Sequence, residues 1–240
     1  MNSAEILFEE PLIESEFICR KNRFLMEVAL TETGETVDVH LADSARMTEL
    51  LIPGKKIYVT YQDAPHRKTN YTARLIENQD ESGLVSIYST LPNQLAEQII
   101  HQNLIHELAS YTHEAREVKI GSSRFDHVLK KDQMQAILEV KGITWVENGT
   151  AYFPGAVTAR GKRHVEELKE LARHEGTETF ILFVVQRPDA TSVQMAETVD
   201  PAFSKALKCA KQSGVHLLAC TMNVSTEAVS FKQTIPVITD

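Results

Sequence analysis

Asp126, Glu139 and Lys141 are ionisable residues set inside two apolar runs of a 240-residue chain. The segment FDHVLKKDQMQAILEVKGITW, residues 125–145, reads as two strands joined by a turn at KKDQ. Side chains alternate faces along a strand, so Glu139 and Lys141 share one face while Leu138, Val140 and Gly142 point the other way. Antiparallel pairing through the turn brings Asp126 across from Glu139. Two carboxylates at about 3–4 Å repel strongly unless positive charge lies between them, and an all-oxygen ligand set suits Mg²⁺ or Mn²⁺. Such a cation stabilises charge on a phosphate and activates a water, which the lysine orients or deprotonates. The plainer alternative is an exposed Glu–Lys pair on an edge strand, worth at most about 0.5–1 kcal/mol.

A second cluster points to phosphate. TARGKRH places Arg160, Lys162, Arg163 and His164 at the start of a helix, where cations oppose the macrodipole at roughly 0.3–1 kcal/mol each. Free N–H groups, a flexible Gly161 and clustered bases make sense together if an anion docks there. A solvated first turn paired with Glu166, Glu167 and Glu170 is the competing reading.

The elements that must position these residues fall into two textures. Met26, Val28 and Leu30, preceded by Phe24, alternate with more polar positions, as do Val37, Val39 and Leu41 beyond a turn at Thr33-Gly34. A short helical stretch, SARMTELLIPG, ends at Pro53-Gly54. KKIYVTY, NYTARLIE and LVSIYS follow. Five strands with a helix between the third and fourth fit a small closed barrel of the OB type. After Pro92-Asn93, Leu95, Ile99, Ile100, Leu104 and Leu108 recur at helical spacing. Three strands come next, then the amphipathic helix RHVEELKELARHEG, the apolar central strand TFILFVVQ, a helix capped by Asp200-Pro201, and the strand VHLLACT. The order α-β-β-β-α-β-α-β describes a three-layer α/β domain. The predicted domains are 1–90 and 91–240.

The D…ExK pattern resembles the PD-(D/E)xK core of restriction-type nucleases. In wider context, RKNRFLMEV, PGKKIYV, RFDHVL…LEVKGITW, AYFPGAVTARGKRHVEEL and GVHLLACT together resemble the sugar fermentation stimulation protein A family, in order and over nearly the whole chain. The resemblance implies an OB-like N-terminal domain, a PD-(D/E)xK nuclease-like C-terminal domain, DNA binding and a regulatory association with sugar (maltose) metabolism in bacteria. On the matching strands Asp126, Glu139 and Lys141 take the catalytic positions, with Asp126 and Glu139 as metal ligands. The family's PNTG(R/A)M-like loop reads ADSARM here and keeps Arg46 and Met47. Its FPDAxTERG segment reads FPGAVTARG, with Gly155 and Ala159 where acidic residues stand in the family pattern.

Composition limits the alternatives. The net charge of −8 lies in the first 112 residues, with 9 Lys+Arg against 17 Asp+Glu, while the remainder has 16 against 16. A basic nucleic-acid footprint over a whole domain is therefore excluded, and phosphate contacts must come from local clusters. Candidates are Arg124, Arg160, Lys162, Arg163 and His164, with Arg20, Arg23 and Arg46 from the N-terminal half. CRKNRF and HRKTNY mix bases with aromatics, as single-strand binding surfaces do. No apolar run reaches the roughly 18 residues of a membrane span. The acidic start resembles no secretory signal, and three cysteines without a CxxC fit a reducing cytoplasm. His101, His106 and His113 lie near Glu107 and Glu114 without an HExxH, a weak pointer to zinc, and Glu107 is a minor candidate for a further carboxylate. Trp145 reads as a packing residue. Three readings stay open: a DNA-binding regulator on a nuclease-like scaffold, an active Mg²⁺- or Mn²⁺-dependent endonuclease acting on DNA or RNA, and a non-catalytic interaction protein.

Overall fold

A computed structural model describes residues 4–43, 45–63, 68–80 and 83–239. The first part of the chain forms β1 (Glu5–Leu7), β2 (Ile13–Asn22), β3 (Leu25–Leu30), β4 (Thr36–His40), β5 (Lys56–Tyr61), β6 (Tyr71–Glu77) and β7 (Leu84–Ser86). The second forms α1 (Leu91–His101), β8 (Thr112–Ile120), β9 (Ser123–Lys131), β10 (Met134–Ile143), β11 (Val146–Glu147), β12 (Thr150–Phe153), α2 (Ala159–Leu171) and β13 (Thr177–Val185). It closes with β14 (Ser192–Met195), α3 (Pro201–Gln212), β15 (His216–Val224), β16 (Ala228–Thr234) and β17 (Val237–Ile238).

Strands β2 to β6 make the closed five-stranded barrel, sealed by the parallel pairing of β4 with β6, and β7 extends it at one edge. Alternation drives the closure: Met26, Val28 and Leu30 fill the interior with Val39, Ile57, Val59 and Ile76. Two expectations change. The long strand β2 belongs to the barrel, whereas Phe24 is 48% exposed at its hairpin. The segment read as a helix between the third and fourth strands is a turn at 48–50, and Pro53-Gly54 ends it before an amphipathic face can form.

The C-terminal part is a seven-stranded sheet in the order β1-β16-β15-β13-β10-β9-β8. Strands β10, β13 and β15 run parallel, and β8, β9 and β10 form an antiparallel meander. Helix α1 covers one face through Leu95, Ala96, Ile99 and Ile100 against Leu138, Val140, Leu182 and Val184. Helices α2 and α3 cover the other through Val165, Leu168, Phe203 and Leu207 against Ile137, Ile181 and Phe183. Each such fully buried side chain contributes about 1.5–3 kcal/mol, so β10 and β13 are the most firmly held strands. A four-stranded sheet, β11-β12-β14-β17, and the start of the chain, β1, were not anticipated from sequence. Strand β1 pairs with β16, so residues 5–7 join the C-terminal sheet before the chain enters the barrel.

The helix ends near the site are capped by side chains. Asp200 accepts the Phe203 N–H at 2.9 Å at the start of α3, and its other oxygen accepts the Thr158 N–H at 2.8 Å ahead of α2. One buried carboxylate thus registers both helices. Gly142 permits the approach of α1: an added Cβ would lie 2.9 Å from Pro92 Cγ and 3.1 Å from Gln186 Nε2. We expect Gly142→Ala to lower stability by about 1–3 kcal/mol, the usual cost of overpacking, read as a lower urea midpoint. An unchanged midpoint would show that α1 is not held by this close approach.

Candidate functional site

The site lies where the meander opens. The β9–β10 register runs from Met134↔Lys131 to Leu138↔His127 and stops one step short of Asp126 and Glu139. Beyond it, Asp126 Oδ2 accepts the Val140 N–H at 2.7 Å, in place of a strand partner. Its Oδ1 accepts from Asn93 Nδ2 at 3.0 Å, from the first turn of α1. Glu139, 3% exposed, points to the other helical layer. Its Oε1 is bonded to Lys141 Nζ and, at 2.6 Å, to His164 Nδ1 on α2. Arg160 Nε donates to His164 Nε2 at 3.4 Å. The His164 tautomer that satisfies both partners carries its proton on Nδ1.

The two carboxylates titrate apart. Burial, then the charge of Glu139, pushes Asp126 up to about 6 from its ordinary 3.8. Burial also raises Glu139, but Lys141 and His164 outweigh it and hold Glu139 below the usual carboxylate range. Glu139 Oε2 and Asn93 Oδ1 are buried with no hydrogen-bond partner among the described residues. An orphan carboxylate oxygen beside an acid whose charge is disfavoured is the donor set that a hard divalent cation completes, so Asp126 and Glu139 fit Mg²⁺ or Mn²⁺.

The other sequence candidates divide. Arg160 is exposed above His164. Lys162 pairs with Glu166 at 3.4 Å. Arg163 lies on the far flank of α2, lining a groove with Gly121, Ser122 and Glu167. His164 is 2% exposed; it orients Glu139 and is not available to touch nucleic acid, because its ring is enclosed against Phe125. Gly161 is buried in α2, where an added Cβ would lie 2.8 Å from Thr158 Oγ1. Close packing, and not flexibility, explains that glycine.

Arg124 is exposed on β9, two residues before Asp126. Arg20 donates to the carbonyls of Asn22, Arg23, Asp43, Ala45 and Arg46. It therefore organises the loop and has no donor to spare for a phosphate, whereas Arg23 and Arg46 are exposed. Arg46 lines a cleft of about 390 Å³ between barrel and sheet, with Thr144, Trp145, Gly155 and Val157. Trp145 is half-buried there, tilted against Tyr152 at 5.0 Å. Glu107 sits on a separate turn, His106–Leu108, after α1 has ended. His66 and Arg67 of HRKTNY lie outside the described residues. Asn93 and the His164–Glu139 bond were missed by sequence reasoning; the only signal was the placement of Asn93 at a helix start.

Comparison with known proteins follows this geometry. The family model described as the sugar fermentation stimulation protein RE domain matches residues 90–228, and that of the SfsA N-terminal OB domain matches residues 18–87. The chain belongs to the sugar fermentation stimulation protein family. It is 38% identical over 228 residues to a sugar fermentation stimulation protein homolog of Shouchella clausii, covering 95% of this chain and 98% of that one. It is 38% identical over 229 residues to the Geotalea daltonii homolog, with 95% and 97% covered. The structure of Pyrococcus furiosus SfsA in complex with Ca²⁺ superposes with a TM-score of 0.88 at 26% identity, covering 99% of this chain and all of that one. The architecture is that of an OB barrel joined to an α/β domain. No helix among the described residues is long and apolar enough to cross a membrane.

The raised Asp126 sets a pH dependence. Its folded-state value lies above its ordinary one, so the folded state binds the proton more tightly than the unfolded chain. Stability from this residue is complete below about pH 4 and is lost as pH rises through about 6. In EDTA, Asp126→Asn should therefore exceed wild type by about 1–3 kcal/mol at about pH 8, and the gap should close at about pH 4. Urea midpoints at both pH values measure this. A variant weaker than wild type at the higher pH would show that the carboxylate is not penalised there.

Proposed function

We propose that this protein binds DNA and that Asp126 and Glu139 hold Mg²⁺ or Mn²⁺ in a phosphodiesterase centre assisted by Lys141. The observation that carries the reading is the buried Glu139, bonded through Oε1 to Lys141 and His164 and unpartnered at Oε2, beside an Asp126 whose charge it disfavours. The Pyrococcus furiosus relative has been solved in complex with Ca²⁺, which supports a site for a hard divalent cation. When bound, the cation supplies Lewis-acid stabilisation of charge on a phosphate and activation of a water.

The chain's own residues do the rest. Val140 N–H and Asn93 fix Asp126 so that its carboxylate does not reorganise during reaction. His164 and Lys141 keep Glu139 ionised. Lys141, attached to Glu139 at the edge of the site, orients the attacking water or shifts its proton. Arg160 and Arg46, both exposed, meet phosphate oxygens along the DNA. The centre lies between the start of α1, which supplies Asn93, and the first turns of α2, which supply His164.

A second reading is a regulator that binds DNA without cutting it. Gly155 and Ala159, where the family pattern carries acidic residues, favour it, as does the family's name, which describes an effect on sugar fermentation.

Cleavage assays on single- and double-stranded DNA and RNA with Mg²⁺, Mn²⁺ or EDTA separate the two readings. We expect metal-dependent cleavage that falls on the order of 10²–10⁴-fold in Lys141→Ala, the range of general acid–base help, with little change in DNA affinity. Purified protein that shifts DNA in a gel but leaves every substrate intact in Mn²⁺ would establish the regulator instead. In either case, Arg46→Ala with Arg160→Ala should flatten the salt dependence of duplex binding. The slope of log K against log salt should drop by about 0.9 for each phosphate that the protein no longer neutralises. An unchanged slope would exclude these arginines from the DNA path.

A further inference from the structure

A cluster outside the Asp126 centre has metal-ligand chemistry of a different kind. Glu97 and His101 lie four residues apart on one face of α1, and His113 comes from the neighbouring strand β8. One ligand atom from each lies within 4.8 Å of the other two. His101 Nε2 is 4.0 Å from Glu97 Oε1, and the His101 and His113 rings meet edge-on at 5.4 Å. Behind them, His113 Nε2 lies 3.1 Å from Nδ1 of the buried His127. Arg116 Nη1 holds Glu97 Oε2 at 2.9 Å and leaves Oε1 on the side of His101.

We propose that Glu97, His101 and His113 form a second metal site, selective for Zn²⁺ and similar borderline cations. Two imidazoles and one carboxylate suit zinc, cobalt or nickel, whereas Mg²⁺ and Ca²⁺ prefer oxygen donors alone. Tetrahedral zinc with bonds of about 2.0–2.1 Å places its ligand atoms about 3.3 Å apart. The present spacing closes to that by a modest movement of His101, whose side chain is exposed. The His113–His127 bond resembles the outer support of a ligating histidine: one ring nitrogen is tied back, and the other presents its lone pair to the cation. Three protein ligands leave an open position for water. The charge of Arg116 opposes a cation, so affinity falls below that of a closed four-ligand site. Metal here would tie α1 to β8, and α1 carries Asn93, which holds Asp126.

Zn²⁺ titration of EDTA-treated, dialysed full-length protein in excess Mg²⁺ tests this, with Co²⁺ as a spectroscopic probe. The expected result is one equivalent of Zn²⁺, a Co²⁺ visible spectrum with nitrogen and oxygen ligation, and a Zn²⁺-dependent rise in melting temperature. His101→Ala, at an exposed position that should fold normally, should weaken binding at least ~10–100-fold, the loss that even an outer-shell change brings. Glu97→Gln should weaken it in the same direction, and Asp126→Asn should leave it unchanged. Three results would overturn the proposal: no Zn²⁺ uptake by wild type, equal uptake by His101→Ala, or a Co²⁺–thiolate band assigning the metal to Cys19 or Cys209. Loss of Zn²⁺ binding in Asp126→Asn alone would also overturn it, by placing the ion in the other centre.

Discussion

One hydrogen bond, from the Val140 N–H to Asp126 Oδ2, sets the geometry on which the candidate centre depends. A backbone donor left unpaired inside a sheet costs about 1–3 kcal/mol, and a buried carboxylate without donors costs more. The end of the β9–β10 ladder would leave both. Each satisfies the other, and the carboxylate is thereby held against β10 beside Glu139. The surroundings then separate the pair. Glu139 has a cation and a histidine, while Asp126 has only neutral donors. The charged form of Glu139 is thereby favoured, while that of Asp126 is disfavoured.

The surrounding packing keeps this arrangement from relaxing. Strand β10 lies between β9 and β13, with Leu138 and Val140 under α1 and Ile137 and Ile143 under the opposite layer. Glu139 and Lys141 occupy positions on a face that a simple core would fill with aliphatic side chains. The apolar packing forgone there is offset by His164, which α2 delivers at the depth Glu139 needs. The depth of α2 follows from Asp200, which caps α3 and also holds the residue that begins α2.

Much of this was legible in the sequence where the pattern is periodic. The alternation of LEVKGI placed Glu139 and Lys141 on one face, where their side chains meet, and the KKDQ turn placed β9 beside β10. The run TFILFVVQ reads as a central strand because both its faces are buried. What failed to show depended on pairings distant in sequence. Nothing local marks Glu5–Leu7 as a partner of β16, or links Asn93 to Asp126 across 33 residues. His164 and Arg20 were misjudged for one reason. Residue type suggests a phosphate ligand, but type alone cannot tell a side chain facing solvent from one consumed by a carboxylate or by backbone carbonyls.

The position of the barrel beside the candidate centre is fixed by how it is attached. Gln186 and Arg187 follow β13 directly. Gln186 N–H donates to Ile143 O at 2.7 Å at the end of β10, and its carbonyl accepts the Ser86 N–H of β7 at 3.0 Å. Arg187 donates to Asn78 Oδ1 at 2.7 Å, beyond β6. The dipeptide therefore joins the end of the site strand to the barrel, and β1 provides a second tether through β16. Barrel and sheet are thus held with the Arg46 loop against the cleft mouth, where Ala45 Cβ would be 3.6 Å from a Cβ added at Gly155. Because the excess negative charge lies in the N-terminal half, its surface as a whole repels a polyanion. Any attraction for a polyanion must come from local clusters of exposed bases, among them Arg46 and Arg160.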